Sequence, residues 1–247
     1  MRNLLLTLRY DGAGFHGWQL QPNADTVQQE LCNAFRKISG NDENIIGCSR
    51  TDTGVHADMF CCNVRTECQV SAEKLPDALN FYLPSSVSVY DCKEVDYDFH
   101  ARYDCKGKEY VYLIYNGKHR NPFYENKALF YPYTIDAEML DKQAKDFIGV
   151  HDFSAFCSAG TEITDKTREI YDCSASRNGD LVEIRVSGNG FLYNMVRIMV
   201  GTLLDIQQGK IQKDSIKEII NSLDRNNAGV TAPGCGLYLN KVYYDNK

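Results

Sequence analysis

A chain of 247 residues can bury a substantial core, enough for one large domain or two small ones. With 43% hydrophobic residues, 24% charged and six prolines it has the composition of a folded globular protein, and no apolar run approaches bilayer length. The net charge of −6, from 27 basic and 33 acidic side chains, argues against nucleic-acid binding through overall charge, although five Lys/Arg against two acids between Phe99 and Asn121 keep a locally basic cleft open.

In chain order, Leu4–Tyr10 reads as a strand closed by Asp11-Gly12. Val27, Leu31, Ala34, Phe35 and Ile38 then recur at helical spacing, with Thr26 and Gln29 as a capping box and Gly40 as the stop. Strands are predicted at 43–48 and 59–67, a helix at 71–81 ending before Pro84, and a strand at 86–95. This β-α-β-β-α-β order is the split βαβ pattern of ferredoxin-like or RNA-recognition-like folds. The second half repeats the theme with a strand at 107–116 and a helix at 136–148, its stripe made by Leu140, Ala144, Phe147 and Ile148. Strands at 167–177 and 180–188 flank the hairpin signal Asn178-Gly179. An apolar helix at 191–207, a shorter one at 213–223 and a strand at 236–244 complete the pattern. The expected fold is α+β: two split-βαβ halves, 1–103 and 104–247, with mainly antiparallel sheets meeting at a central cleft. The long polar loops at 11–25, 48–58, 98–108 and 152–167 are the expected carriers of function.

Ten scattered cysteines without CxxC spacing read as free thiols in a reducing compartment, and the chain starts with no apolar signal region. The cytoplasm is therefore the expected address. The five histidines do not combine with cysteines at finger-like spacing, so no metal site is expected.

The segment Arg50-Thr51-Asp52-Thr53-Gly54-Val55-His56-Ala57 gathers an acid, a base and a tight glycine turn. Asp52-Thr53-Gly54 fits half of an aspartic-protease site, but that chemistry needs two carboxylates, and the chain has no second such triplet. It also fits an Asx turn with Gly54 supplying a permissive dihedral. A third reading is a carboxylate acting on nucleic acid. Arg197 lies in the apolar run Met195–Val200, where a charge is paired or functional.

Further segments line up with this one: Tyr10-Asp11-Gly12, Phe15-His16-Gly17-Trp18-Gln19, Thr26-Val27-Gln28, Phe99-His100-Ala101-Arg102 and Lys108-Glu109-Tyr110-Val111-Tyr112. His151–Phe156, Phe191–Arg197 with Gly201, and Ala232-Pro233-Gly234-Cys235-Gly236-Leu237 follow. Together, in order from residue 10 to about residue 239, they make the chain resemble a tRNA pseudouridine synthase of the TruA family. The resemblance implies an enzyme that isomerises uridine at positions 38 to 40 of the tRNA anticodon arm. It also implies two α/β halves around a basic cleft, a homodimer, and no organic cofactor or membrane partner. The family's catalytic aspartate falls on Asp52, its active-site tyrosine on Tyr110, and the arginine that pairs with the aspartate on Arg197.

The chemistry suits those residue types. Converting uridine to pseudouridine breaks the C1′–N1 bond, turns the uracil and joins its C5 to C1′. A carboxylate serves as nucleophile or as stabiliser of positive character at C1′, and a guanidinium fixes both its oxygens. Tyr110 stacks on the ring; a phenol of ordinary pKa is a poor base for the C5 proton, for which the carboxylate is the other candidate. A uridine in a stem has to be flipped out, and Arg50 then braces the gap or contacts a phosphate. Arg102, Lys106, Lys108, Lys118 and Arg120 are candidates for the phosphate track. His56 touches substrate or stabilises the turn. Phe15 and Trp18 stack on a base or pack between the halves, and Leu237 lines the uracil pocket or packs in the core. Ser49 and Thr53 stand where the family usually has glycine and alanine, and Cys235 where a second proline is common; none removes a catalytic group. The family's strand after the turn usually contains Gly-Gln-Val, where this chain has Phe60-Cys61-Cys62-Asn63. A non-catalytic RNA-binding protein on the same scaffold would not need Asp52 and Arg197.

Overall fold

The computed structural model describes residues 1–160 and 163–245. Residues 161 and 162, inside the long loop expected over 152–167, lie outside the described residues, as do 246 and 247 at the end of the second expected half. The protein is a mixed α+β fold of two compact units: Met1–Lys106 together with the chain from Tyr238 on, and Gly107–Leu237.

In the first unit, β1 (Arg2–Tyr10) is buried on both faces along its leucine run, which makes it an inner strand. Helix α1 (Val27–Ser39) starts where Thr26 accepts a hydrogen bond from Gln29 N and stops where Gly40 turns to φ +75°. It buries Val27, Leu31, Ala34 and Phe35. Strands β2 (Ile45–Gly47) and β3 (His56–Thr66) follow, then α2 (Leu75–Asn80) and β4 (Val87–Val95). Strand β1 pairs antiparallel with β3 and with β4, and β2 pairs antiparallel with the other edge of β3. Helix α2 is shorter than the predicted 71–81 because Pro76 has no N–H to give and must sit in the first turn.

In the second unit β5 (Gly107–Tyr115) carries the two-residue β6 (Leu129–Phe130) in parallel, and α3 (Ala137–Ala144) opens with Asp136 accepting from Met139 N at 3.0 Å. The last predicted turn of α3 tightens into a 3-10 turn at Lys145–Phe147, which leaves Ile148 outside the helix and exposed. Strand β7 (Gly149–Asp152) pairs with β8 (Thr167–Asn178), and β8 forms a hairpin with β9 (Leu181–Gly188). The hairpin loop is Gly179-Asp180, with glycine at the first loop position where a type II′ turn needs positive φ. Strand β9 pairs antiparallel with β5. Helix α4 (Met195–Gln207) begins four residues later than predicted, because Asn194 stands at φ +60° and interrupts the helix there. Helix α5 (Ile216–Ser222) and β10 (Leu237–Tyr243) follow. From Tyr238 on, β10 joins the first unit, pairing in parallel with β3 at His56 and Ala57. Among the described residues, no helix is long and apolar enough to cross a membrane.

Candidate active site

The first unit presents Asp52 on a turn that its own backbone locks. Val55 N donates to Asp52 O at 3.1 Å and Gly54 stands at φ +76°, the position where a type II turn takes glycine. The turn docks on the loop after β1: Trp18 N donates to Thr51 O and Gly54 N to Phe15 O, both at 3.2 Å. Two glycines make this approach possible. A Cβ on Gly17, itself at φ +88°, would lie 2.3 Å from Thr51 O, and one on Gly12 would lie 2.0 Å from Val55 O. Thr51, buried between exposed Arg50 and half-buried Asp52, shares a 2.8 Å hydrogen bond with the Tyr10 hydroxyl. The Asx-turn and catalytic readings thus concern the same turn.

His56 closes the far side. Its Nδ1 lies 3.0 Å from Gly12 N and 3.1 Å from Asp11 Oδ1, and its ring stacks on Tyr238 at 4.5 Å. Buried as it is, it stabilises the turn. Trp18 is 1% exposed and stacks on Phe60 at 4.1 Å, with Gly47 against the indole, which leaves no face of the ring for a base. Phe15 is buried as well. The burial of these three residues fits the packing or turn-stabilising alternative of each.

The second unit presents Tyr110 and Arg197. Tyr110, opposite Val186 in the β5–β9 ladder, is buried and meets Phe191 edge to face at 5.1 Å. Arg197 is the third residue of α4, where the helix dipole disfavours a cation. Acceptors hold it there: its Nε donates to Ala232 O at 2.7 Å and its Nη1 to Asn194 Oδ1 at 2.8 Å. The segment that supplies Ala232 lies directly on α4. A Cβ on Gly201 would come within 1.7 Å of Val230 O, and buried Thr202 accepts from Gly229 N at 2.9 Å. The same segment reaches β5, because the Tyr112 hydroxyl donates to Pro233 O at 2.8 Å and Gly236 packs on the Tyr112 ring. Burial pushes the Tyr112 phenol far above its ordinary pKa, so it stays a neutral donor. Buried Leu237 follows immediately.

The cations divide by position. Arg102 is exposed on a turn in which His100 N donates to Asp104 Oδ2 at 2.7 Å and Ala101 N to Asn63 Oδ1 at 2.8 Å. Asn63 is in turn bonded to Asn3, whose amide donates to Phe99 O at 2.9 Å. Lys106 is exposed in the first unit; half-buried Lys108 and exposed Lys118 and Arg120 are in the second. Beside the last two, Phe123 is 91% exposed. Sequence reasoning missed Asn3 and Phe123, and it quoted Asn63 and Asn194 without giving either a role. The signal for the two strand asparagines was a polar amide inside an apolar β pattern. Among the described residues, no group of three or more His, Cys, Asp or Glu is arranged to hold a metal ion.

A family model described as tRNA pseudouridine synthase matches residues 7–104 and 143–245. A tRNA pseudouridine synthase A of Thermoanaerobacter sp. (strain X514) is 47% identical over 244 residues, covering 99% of this chain and all of its own length. Its namesake in Caldicellulosiruptor saccharolyticus is also 47% identical over 244 residues with the same coverage. That of Bacillus subtilis (strain 168) is 43% identical over 245 residues, covering 98% of this chain and 99% of its own.

Proposed function

The chain belongs to the tRNA pseudouridine synthase family, and on that premise we propose that it converts uridine to pseudouridine at positions 38 to 40 of the tRNA anticodon arm. Asp52 is the essential carboxylate, Arg197 fixes its two oxygens, and Tyr110 lies against the uracil. The electron pair of the broken C1′–N1 bond leaves on N1, which ends protonated, while C5 gives up its proton after joining C1′. The observation that carries this reading is the Asp52 turn. A carboxylate that must meet a flipped sugar needs a fixed direction, and a turn docked through Gly12 and Gly17 supplies it.

Arg50, exposed two residues earlier, braces the gap left by the flipped nucleotide. Arg102, Lys106, Lys108, Lys118 and Arg120 follow the phosphates, and Leu237 borders the uracil pocket. We read each unit as a split-βαβ half; the antiparallel order β4-β1-β3-β2 supports this for the first. The working enzyme is a homodimer in the cytoplasm, a compartment that suits ten free cysteines. Mapping pseudouridine in unmodified tRNA transcripts after incubation with the protein tests the reading. Product confined to positions 38 to 40 supports it; product elsewhere, or none, contradicts it.

A further inference from the structure

Asn194 occupies an unusual place. It is the residue before α4, its backbone stands at φ +60°, and its side chain makes no capping hydrogen bond. An asparagine at a helix start ordinarily turns its oxygen onto the N–H two or three residues on. Here the third residue is Arg197, and Asn194 Oδ1 accepts from that residue's guanidinium Nη1 at 2.8 Å instead. The amide's other end is also used: Nδ2 donates to Ser158 Oγ at 2.9 Å, and Ser158 N donates to Tyr193 O at 3.1 Å. Positive φ is disfavoured for any residue with a Cβ, and asparagine is among the few that tolerate it. A strained backbone that aims an amide at an arginine is a positioning device.

We propose that Asn194 is the positioning residue for Arg197, with Ser158 holding the amide in turn. Gripped at Nε by Ala232 O and at Nη1 by Asn194, the guanidinium plane has a single orientation. An unheld arginine on the first turn of a helix would sample several rotamers, and only one of them presents the fork that a carboxylate needs. The inference rests on the reading that Arg197 serves Asp52, and it concerns how the arginine is aimed.

Asn194→Gly is the test, because glycine takes φ +60° without strain and only the amide is lost. The single-turnover rate of pseudouridine formation in tRNA is expected to fall about tenfold, with tRNA KM and Tm essentially unchanged. Ser158→Ala should lower the same rate by a smaller factor, about two- to threefold, again without a change in KM. Because the amide acts through the guanidinium, Asn194→Gly should cost nothing further in an Arg197→Lys background. A fully active Asn194→Gly, losses that multiply with Arg197→Lys, or a rate that falls only in step with Tm would overturn the proposal. Wild-type protein that formed no pseudouridine in tRNA would instead overturn the functional reading beneath it.

Discussion

At the Asp52 turn the backbone does the holding: carbonyls and amides of two loops touch, and glycines 12 and 17 are small enough to let them. At the start of α4 the holding is done around a side chain, with a carbonyl from Ala232 and an amide from Asn194 closing on the Arg197 guanidinium. The first arrangement is steric and has no intermediate setting. The second is a set of hydrogen bonds that can be weakened one at a time. A carboxylate on a short side chain takes its direction from the backbone, whereas a long arginine needs its own supports.

The contrast breaks most sharply at Gly17. A methyl there meets Thr51 O at 2.3 Å on a backbone already at positive φ, so Gly17→Ala should destabilise the fold by about 3 kcal/mol. Urea unfolding would register the loss, and activity should disappear with the turn geometry. Thr202→Val strikes the other side. It strands the buried Gly229 N–H and frees the segment that carries Ala232, for about 1–3 kcal/mol. Its kcat should fall while the Asp52 turn stays intact, and a graded loss rather than an all-or-none one is what sets it apart from Gly17→Ala. Smallest is the effect of exposed charge. Replacing Lys118 or Arg120 by alanine should leave Tm alone and reduce the slope of log affinity for tRNA against log salt by about one each.

Much of this was legible in the sequence where the signal is local. The leucine run of β1, Thr26 and Gly40 around α1, and Asn178-Gly179 at the end of β8 and the start of its hairpin loop each encode their element within a few residues. Boundaries failed where one residue overrides a periodic pattern, as Pro76 does at α2 and Asn194 at α4. Strands β6 and β7 span two and four residues, too few to show alternation, and the ladders that define them come from β5 and β8. The Asp52 turn was legible as a turn from its glycine. Its docking on Gly12 and Gly17 was not, because that contact joins loops separated by a helix and a strand. Trp18 shows the same limit: an aromatic after a glycine-rich turn reads equally as a stacking ring or as core, and only the Phe60 contact decides.

The most direct test of the central claim is tritium release from C5-labelled uridine in tRNA by Asp52→Asn, measured alongside tRNA binding. The isostere keeps the turn and removes the carboxylate. Release should vanish while affinity for tRNA remains within about twofold of wild type. Full release by that variant would contradict the assignment of the chemistry to Asp52.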